Sequence, residues 1–478
     1  MTPSSPRGDY DVIVIGAGAV GENVADRAVK GGLRAVLIEA DLVGGECSYW
    51  ACMPSKALLR PGAALSAARR VDGSKQAVDG VLDVEAVFRR RDSFTSHWDD
   101  AGQVEWAEQA NIDLIRGVAR LVGERTVEVT PPDDEPFTLT ALNAVVLATG
   151  SRPVVPPIDG LADIPFWGTR EATSAHDVPG RLAVLGGGVA GTELAQAFGR
   201  LGSQVTVIAR GKLLGGFAEQ AASRVLDALR AENITVHLDT ETTAVHWQPD
   251  GSIRLEVTDQ DGDGRQVVAD RLLVSTGRQS ALDQLGLDSV GLAPDAITID
   301  NHGQVTGTDW LFAVGDAAGK VQLTHQGKYE ARIVGDVIVT RAKGGQIDDN
   351  LWSRHLMTAN SYAVPHVVFT DPAIAAVGLA PVEAADRFDR TRTVELEIAV
   401  AGSALQADGY SGWARVVVDE ERRVIVGATF VGQDVAEMLH SATIAIVGEV
   451  PLERLWHAVP AYPTMSEIWL RLLEKYGM

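Results

Sequence analysis

The chain has 478 residues, which at about 150 residues per domain predicts about three domains. Hydrophobic residues make up 46% and charged residues 22%, a balance that excludes a disordered or fibrous chain. Lys and Arg number 42 against 64 Asp and Glu, so the net charge of −22 argues against a nucleic-acid partner, which a surplus of cations would hold.

The sequence also indicates where the protein works. Residues 1–9 are polar and lack the apolar core of a secretory signal. No uncharged apolar stretch approaches the roughly 20 residues that span a bilayer. We therefore expect a soluble, cytoplasmic protein without a membrane partner.

The first forty residues predict a βαβ unit. Residues 10–15 form a mostly apolar run that is rich in β-branched residues, and a glycine-rich turn covers 16–21. A helical stretch covers 22–31, and a second apolar run covers 34–38. The acidic residue Glu39 closes the second strand, 18 residues after the last glycine of the turn. A glycine-rich turn alone is weak evidence, but a strand before it, a helix after it and an acidic residue beyond indicate a dinucleotide site.

The glycines of this turn have distinct roles. Gly16 permits the tight turn, Gly18 lets the backbone approach a pyrophosphate, and Gly21 lets the helix pack against the strand. The helix N-terminus offers unpaired N–H groups and a partial positive charge to the phosphates. Because Glu39 is expected to accept hydrogen bonds from a ribose diol, we predict a dinucleotide with a free 2′-hydroxyl here.

The two cysteines of the chain, Cys47 and Cys52, follow directly on this unit. A disulfide scaffold would need more cysteines, so the pair indicates chemistry. Pro54 suits the first turn of a helix, which places Cys52 at a helix N-terminus, where the thiolate is favoured. Lys56 lies one turn further along the same face. A disulfide between these cysteines is predicted to be labile and catalytic.

The βαβ pattern recurs 170 residues later. It comprises a strand at 181–185, a glycine turn at 186–191, a helix at 192–201 and a strand at 204–208. Two such units in one chain imply two dinucleotides and a transfer of electrons between them.

The two copies differ at the end of the second strand. Glu39 in the first copy favours a free 2′-hydroxyl, whereas Arg210 in the second accommodates a 2′-phosphate. We therefore predict NADP(H) at the second site. A solvated loop arginine is the alternative interpretation of Arg210.

Strand-like runs follow each dinucleotide unit. They cover 119–130 and 136–148 after the first unit, and 253–258 and 266–275 after the second, and each set ends near a Thr-Gly turn. The Asp- and Gly-rich stretch 259–264 resembles a calcium loop. Because strand-like runs flank it, we predict a hairpin turn and no metal site.

The rest of the chain begins with a predicted strand at 310–315 that delivers Asp316 to a turn. Strand-like and helical runs between 351 and 478 are typical of an α+β domain. The predicted fold class is α/β, with two Rossmann-like dinucleotide-binding domains and a C-terminal α+β domain. The predicted boundaries are 1–155 and 279–350 for the first domain, 156–278 for the second and 351–478 for the third.

The whole chain resembles the flavoprotein disulfide reductases, the pyridine nucleotide–disulfide oxidoreductase family of lipoamide dehydrogenase, glutathione reductase and mercuric reductase. The motifs GAGAVG, GGECSYWACMPSK, ATG, GGGVAGTE and VGDAAG occur in the family's order. The resemblance implies FAD in the first domain, NAD(P)H in the second and hydride transfer to flavin N5. It also implies a homodimer formed by the third domain, with each active site shared between subunits. The phrase VTVIARGKLL is similar to NADPH-dependent mercuric reductases.

The resemblance implies roles for single residues. Lys56 matches the lysine beside flavin N5, and Glu193 the glutamate that pairs with it. Cys52 matches the flavin-proximal thiol, and Cys47 the interchange thiol that meets the substrate. For FAD, the predicted residues are Gly16, Gly18, Gly21, Glu39 on the adenosine ribose, Gly45, Thr149, Gly150 and Asp316 on the ribityl chain. For NAD(P)H, they are Gly186, Gly188, Gly191, Arg210 and Gly277.

The C-terminal signature departs from the family. Where the family has a histidine as acid–base partner of the interchange thiol, this chain has Tyr462, although the family's glutamate is kept as Glu467. Unperturbed tyrosine titrates at about 10 and histidine at about 6.5, so Tyr462 is a poor base at neutral pH. Reactions that need this base should slow by about 10²–10⁴-fold. His457 is a candidate substitute, but its position in the sequence fits a surface histidine better.

The sequence therefore predicts an FAD-dependent enzyme that prefers NADPH over NADH. It passes electrons through Cys47 and Cys52 to a small acceptor: a disulfide, a quinone or another electrophile. One alternative is an NAD(P)H:quinone reductase that does not need the cysteines. Another is a dihydrolipoamide dehydrogenase-like component that mainly binds partners. Mercuric reductases share Tyr462 but need a C-terminal cysteine pair, and residues 474–478 contain none, so we expect no efficient mercury reduction.

Overall fold

A computed structural model describes residues 8–478. The expectation that the chain has no signal segment concerns residues 1–9, of which 1–7 lie outside the described residues. The strands are β1 (Asp9–Ile15), β2 (Ala35–Glu39), β3 (Asp113–Arg116), β4 (Val118–Gly123), β5 (Thr126–Thr130), β6 (Phe137–Leu147), β7 (Ser151–Pro153), β8 (Arg181–Leu185), β9 (Gln204–Ile208), β10 (Thr235–His237), β11 (Thr240–Trp247), β12 (Ile253–Asp259), β13 (Gly264–Ala269), β14 (Arg271–Val274), β15 (Arg278–Ser280), β16 (Leu311–Ala313), β17 (Pro365–Val368), β18 (Ala373–Gly378), β19 (Thr391–Glu397), β20 (Trp413–Asp419) and β21 (Val424–Gly432).

Helices connect and cover these strands. They are α1 (Ala19–Lys30), α2 (Gly45–Tyr49), α3 (Cys52–Arg69), α4 (Val84–Phe94), α5 (Ala101–Gln109), α6 (Thr169–Thr173), α7 (Val189–Arg200), α8 (Glu219–Ala231), α9 (Thr324–Ala342), α10 (Ala359–Tyr362), α11 (Pro381–Arg387), α12 (Ala401–Gln406), α13 (Leu439–Val447), α14 (Leu452–Leu455) and α15 (Glu467–Tyr476). Among the described residues, no helix has both the length and the apolar character needed to cross a membrane.

The chain forms two compact units. The first comprises residues up to 54 together with 92–153 and 278–360. The second comprises 55–91, 154–277 and 361–478.

The first unit is built on a mixed sheet in the order β3-β2-β1-β6-β5-β4, with β16 also beside β6. Strands β1, β2, β3, β6 and β16 run parallel, as the predicted βαβ connection requires. The β-branched residues of β1 are buried because helices and strands cover both faces of a parallel sheet. The predicted single strand at 119–130 is wrong: Glu124 and Arg125 form a turn, and β4 and β5 pair as a hairpin.

The second unit contains three sheets. The parallel sheet β10-β9-β8-β14 carries the second glycine turn, and the antiparallel sheet β11-β12-β13 follows it in the chain. The third sheet, β17-β18-β21-β20-β19, is antiparallel, and its central strand β21 is buried throughout. Helices α13 and α15 pack on it, which confirms the predicted α+β character of this region.

Two further predictions concern this unit. The run 266–275 is wrong as one strand, because β13 pairs with β12 whereas β14 pairs with β8. Asp270 lies at the break and its carboxylate accepts the Arg181 backbone N–H at 2.8 Å. The stretch 259–264 is a hairpin turn, as predicted: Asp259 Oδ1 accepts backbone N–H groups from Asp261 and Asp263.

Candidate active site

The first glycine turn is closed against the sheet and open in front of α1. Gly16 has φ +102°, and a Cβ there would lie 2.4 Å from the Ala148 carbonyl oxygen. A Cβ on Gly21 would lie 2.0 Å from the Gly16 carbonyl oxygen. At Gly18, by contrast, the nearest neighbour is the Gly45 Cα at 3.8 Å. The open backbone at the helix N-terminus is the arrangement that receives a pyrophosphate.

Glu39 ends β2 beside this turn. Its Oε2 accepts the Ala17 backbone N–H at 2.7 Å, and its Oε1 accepts the Asp41 backbone N–H at 2.8 Å. Burial raises the pKa of Glu39, although both N–H groups act in the opposite direction. The two bonds hold the carboxylate at the end of the strand, and each oxygen keeps a lone pair for a further donor.

Asp316, Thr149 and Gly150 lie in the same unit. Asp316 follows β16 in a short 3₁₀ turn and accepts a hydrogen bond from the Ser151 hydroxyl. Thr149 directs its hydroxyl to the Ala281 carbonyl oxygen at 2.9 Å, and Gly150 has φ +71°. The structure thus places every residue predicted for FAD within the first unit.

The two thiols lie on consecutive helices of the chain. Cys47 is in α2, and Cys52 is the first residue of α3, as predicted; both side chains are half-buried. A hydrogen bond with the Cys52 sulfur and burial both raise the pKa of Cys47. Thr324 and the charge of Lys328 lower this pKa by smaller amounts. Cys47 therefore needs a nearby positive charge to become a thiolate near neutral pH.

The second glycine turn repeats the geometry of the first. Gly186 has φ +114°, and a Cβ there would lie 2.4 Å from the Ser275 carbonyl oxygen. A Cβ on Gly191 would lie 2.6 Å from the Gly186 carbonyl oxygen, whereas Gly188 and Gly277 have no atom within 4 Å. This turn, too, is open at the helix N-terminus.

Arg210 lies two residues beyond β9, at the carboxyl end of the parallel sheet. Its side chain is exposed, and in the described part of the chain no ion pair or side-chain hydrogen bond occupies it. The guanidinium is therefore available to an anionic group near the second glycine turn.

Lys56 and Glu193 form a largely buried ion pair in the second unit. Lys56 Nζ lies 2.7 Å from Glu193 Oε2, and the glutamate side chain is 3% exposed. Glu193 Oε1 accepts the Phe369 backbone N–H at 2.8 Å, and the Lys56 ammonium lies 4.9 Å from the Phe369 ring centroid. These contacts fix the position of the lysine amine.

Tyr462 and Glu467 differ strongly in their surroundings. Tyr462 is 78% exposed in the single chain, and His457 is exposed as well. Glu467 is buried at the start of α15, where its Oε1 accepts a hydrogen bond from Arg471 at 2.6 Å. Within residues 8–478, Glu467 Oε2 is buried without a hydrogen-bond partner.

Sequence reasoning missed two residues near the thiols. The Thr324 hydroxyl lies 3.4 Å from Cys52 Sγ, and the charge of Lys328 acts on Cys47. Both residues belong to α9, about 270 positions after the cysteines, and no motif marks them. A threonine at the start of a helix usually indicates capping, so the pattern carried no signal for this contact.

Comparison with known proteins establishes the family. Residues 10–331 match the model of the pyridine nucleotide-disulphide oxidoreductases, and residues 364–472 match the dimerisation domain of the same family. The chain belongs to this family. This confirms the α/β fold class and the enzyme class, an FAD-dependent pyridine nucleotide-disulphide oxidoreductase that uses NAD(P)H. The dimerisation domain supports a homodimer.

Curated relatives of this oxidoreductase carry two different names. Dihydrolipoyl dehydrogenase of Halobacterium salinarum (strain ATCC 700922 / JCM 11081 / NRC-1) is 30% identical over 97% of this chain and 95% of that protein. Mercuric reductase of Shigella flexneri is 32% identical over 96% of this chain and 79% of its own length. Mercuric reductase of Streptomyces lividans is 31% identical over 96% of this chain and 94% of that protein.

Solved structures share the fold of this oxidoreductase. The HOCl-induced flavoprotein disulfide reductase RclA from Escherichia coli aligns with a TM-score of 0.79 over 97% of this chain and 99% of that chain, at 24% identity. Its Cu(II) complex aligns with a TM-score of 0.82 over 98% and 99%, also at 24% identity. At this identity the likeness shows the fold alone.

The first unit of this oxidoreductase fits FAD. The backbone is open at Gly18, and Gly45 approaches so closely that a Cβ on it would lie 2.8 Å from the Gly18 Cα. A diphosphate bound in front of Gly18 would meet the N–H groups at the start of α1, and a ribose beside β2 would meet the carboxylate oxygens of Glu39. In the described residues, no group of three or more His, Cys, Asp or Glu side chains is arranged to hold a metal ion.

Proposed function

We propose that this oxidoreductase passes electrons from NADPH through FAD to the Cys47–Cys52 pair and on to a small acceptor. One observation carries the proposal: the Cys52 sulfur lies close enough to hydrogen-bond Cys47, in the unit that also contains the open Gly18 turn. Two thiols at hydrogen-bond distance need little movement to form a disulfide, and a disulfide held in so short a loop is readily reduced.

The chain's own residues divide the work. Gly18 and the N-terminus of α1 would hold the diphosphate of FAD, and Glu39 would bind its ribose. When bound, FAD accepts a hydride from the nicotinamide and delivers two electrons to a disulfide. Glu193 holds the Lys56 ammonium group in one position, and the family resemblance places this group beside flavin N5.

For a disulfide acceptor, the electrons, protons and S–S bonds of the thiol cycle can be followed step by step. Two electrons and two protons convert the Cys47–Cys52 disulfide into two thiols. Cys47, as thiolate, attacks one acceptor sulfur, and the other sulfur leaves with the electron pair and takes up a proton. Cys52 then attacks the mixed disulfide at Cys47 and releases the second acceptor thiol, which restores the enzyme disulfide.

The preference for NADPH rests on Arg210. Its exposed guanidinium is uncommitted at the end of β9, where a basic residue accommodates a 2′-phosphate. NADH lacks that phosphate, so the charge of Arg210 does not strengthen its binding.

Tyr462, in place of the family's histidine, affects which electron acceptors the enzyme can use. A neutral phenol does not form the ion pair that an imidazolium forms with a thiolate. This disfavours dihydrolipoamide and favours acceptors that take electrons without a base, such as quinones, other electrophiles or reactive small disulfides. We also propose that the homodimer completes each site with Tyr462 and Glu467 of the neighbouring copy.

Tyr462 also favours a second candidate function, a quinone reductase that takes electrons directly from the flavin and leaves the cysteines idle. The purified holoenzyme, reduced anaerobically by two electrons, distinguishes the two. A thiolate beside oxidised flavin should produce a long-wavelength absorbance band, which Cys52→Ser should abolish. No band in the wild type, together with full quinone turnover in Cys47→Ser, would establish the quinone reductase instead.

A panel of acceptors completes the test. Steady-state turnover with NADPH is measured against quinones, small disulfides including lipoamide, and mercuric ion. We expect turnover with quinones or small disulfides and little with mercuric ion. Ordinary enzymatic rates with any small acceptor would count against a protein that mainly binds partners.

A further inference from the structure

Lys328 acts electrostatically on the thiol pair, and in the part of the chain that the structure describes it has no partner of its own. It follows Thr324 by four residues in α9, and residues so spaced share one face of a helix. The Thr324 hydroxyl on that face lies 3.4 Å from Cys52 Sγ. Lys328 is half-buried, and among residues 8–478 no hydrogen bond or ion pair engages its ammonium group. Its charge lowers the pKa of Cys47, against the larger raising effects of Cys52 and burial.

A carboxylate on the neighbouring helix interacts electrostatically with Lys328. Glu22 is in the first turn of α1, and α1 packs closely on α9 at Gly327, where a Cβ would lie 2.7 Å from Val20 Cγ2. Glu22 Oε1 is buried, and within the described residues it has no hydrogen-bond partner. Burial raises the pKa of Glu22 to about 7, with Lys328 lowering it and Glu39 raising it.

The charged groups that act on the thiols or on Lys328 come from several elements. Lys328 belongs to α9 and Glu22 to α1. Glu39, at the end of β2, acts electrostatically on Glu22. Next to Cys47 in the chain, Glu46 has the Arg278 guanidinium 3.7 Å away, so this acidic residue is countered by a cation. Among the described residues, Lys328 is thus the cation whose charge acts on Cys47, and no carboxylate forms an ion pair with it.

The family's histidine would supply a cation to the interchange thiolate, and Tyr462 does not. We propose that Lys328 supplies the positive charge that stabilises the Cys47 thiolate, and that Glu22 sets how much of this charge Cys47 experiences. The inference rests on the proposed thiol cycle. It assigns Lys328 and Glu22 as positioning residues that act through Cys47, in a pair supplied by α1 and α9 of the same chain.

The signs of the two effects are opposite. A cation favours the thiolate, so removal of the Lys328 charge raises the pH at which Cys47 ionises. An ionised carboxylate beside that cation offsets it, so removal of the Glu22 charge lowers the same pH. A side chain that merely supports the fold has no reason to produce two shifts of opposite sign.

The test is the pH dependence of Cys47 alkylation in the FAD-loaded, anaerobically reduced enzyme. Iodoacetamide labelling rates are followed across a pH series, and peptide fragmentation separates Cys47 from Cys52. Lys328→Met should raise the midpoint by about one pH unit, which slows labelling about tenfold at neutral pH. Glu22→Gln should lower the midpoint, and Lys328→Arg should stay near the wild type. Lys343→Gln, an exposed lysine just beyond the end of the same helix, is the matched control.

The result that overturns the inference is a Lys328→Met midpoint equal to that of Lys343→Gln. If Lys328→Met loses FAD, Glu22→Gln decides the question: an unchanged or higher midpoint overturns the inference, and a lower one supports it. The long-wavelength band is recorded on the same samples. Its absence in the wild type counts against the thiol cycle, whereas the Cys47 midpoints report on Lys328 independently.

Discussion

Lys56 and Arg210 carry the same charge in opposite settings. Glu193 neutralises Lys56 at 2.7 Å, and Phe369 borders its ammonium group, so this cation is held in one place. Arg210 is exposed and, among the described residues, has no acidic partner. The immobilised Lys56 ammonium group keeps one position in the site. The exposed Arg210 guanidinium can pair with a phosphate, to which its planar set of donors is well suited. The proposed preference for NADPH therefore depends on a single side chain, Arg210.

Arg210→Glu should impair the use of NADPH selectively. A charge-assisted hydrogen bond contributes about 1.5–3 kcal/mol, so the KM for NADPH should rise about tenfold or more while the KM for NADH hardly changes. Steady-state kinetics with both coenzymes measures the effect, and Arg230→Glu, at an exposed arginine in the last turn of α8, is the control. Equal use of NADH and NADPH by the wild type would show that Arg210 does not select the coenzyme.

At the scale of helices and loops, two features position the sites. The turn before α1 and the start of α2 meet at Gly18 and Gly45, where the backbones approach too closely for a side chain. In the second unit, one face of α7 carries Gln196 and Arg200, and both bind Asp371 before β18. Glu193 is on the same helix and binds the Phe369 N–H, so α7 anchors the segment that borders Lys56.

Gly45→Ala should lower FAD occupancy. The new Cβ would lie 2.8 Å from the Gly18 Cα, so the backbone must move where the diphosphate binds. Gly32→Ala is the matched control, because Gly32 also has positive φ, +84°, but has no atom within 4 Å of an added Cβ. Its left-handed strain alone costs about 1–2 kcal/mol. The flavin-to-protein absorbance ratio after gel filtration checks the prediction, and equal FAD loss in both variants would attribute the effect to strain.

Asp371→Asn should destabilise the second unit in a pH-dependent way. Burial by itself would raise the pKa of Asp371, but Arg70 and Arg200 outweigh burial and hold the pKa below its ordinary value. The carboxylate therefore stabilises the fold fully above the unfolded pKa of about 3.9, and this contribution is lost as pH falls through the lower folded pKa. Breaking a buried ion pair costs about 3–5 kcal/mol near neutral pH.

Urea unfolding at neutral and at strongly acidic pH measures this contribution. The free energy of unfolding of the wild type should exceed that of Asp371→Asn near neutral pH, and the difference should shrink in acid. Asp386→Asn, at an exposed position in α11, should change little at either pH. A difference that stays constant with pH would contradict an electrostatic role for Asp371.

At the scale of the whole molecule, the dimerisation domain leaves an apolar segment uncovered in the single chain. Between α14 and α15, Val459 is 84% exposed, Tyr462 78% and Trp456 39%. A contiguous exposed apolar segment usually marks an interface, and this one lies within residues 364–472, which match the dimerisation domain. We therefore expect this segment to lie at the contact between two copies.

Val459→Asp should weaken the homodimer. A carboxylate placed in an apolar interface loses its hydration, so the dissociation constant should rise by at least about tenfold. Sedimentation velocity over a concentration series checks this, with Val81→Asp as a control at a position that is 93% exposed outside this domain. An unchanged dimer in Val459→Asp would place the interface elsewhere.

Several of these features could be read from the sequence. The glycine turns at 16–21 and 186–191 and the position of Cys52 at the start of a helix are local, and short-range sterics and capping determine them. By contrast, the prediction of one continuous strand at 119–130 and another at 266–275 is wrong, because strand pairing is not a local property. Nothing in an apolar run states which neighbouring strand each half pairs with, and β13 and β14 belong to different sheets.

By itself, the sequence determined the two dinucleotide turns, the cysteine pair and the family, because each depends on residues close together in the chain. The tertiary structure alone decided which distant side chains surround the thiols. Thr324 contacts Cys52 and the charge of Lys328 acts on Cys47. Glu22 acts electrostatically on Lys328, and α1 packs on α9 at Gly327. The electrostatic environment of a thiol depends on distances through space, and the packing of helices far apart in sequence determines those distances.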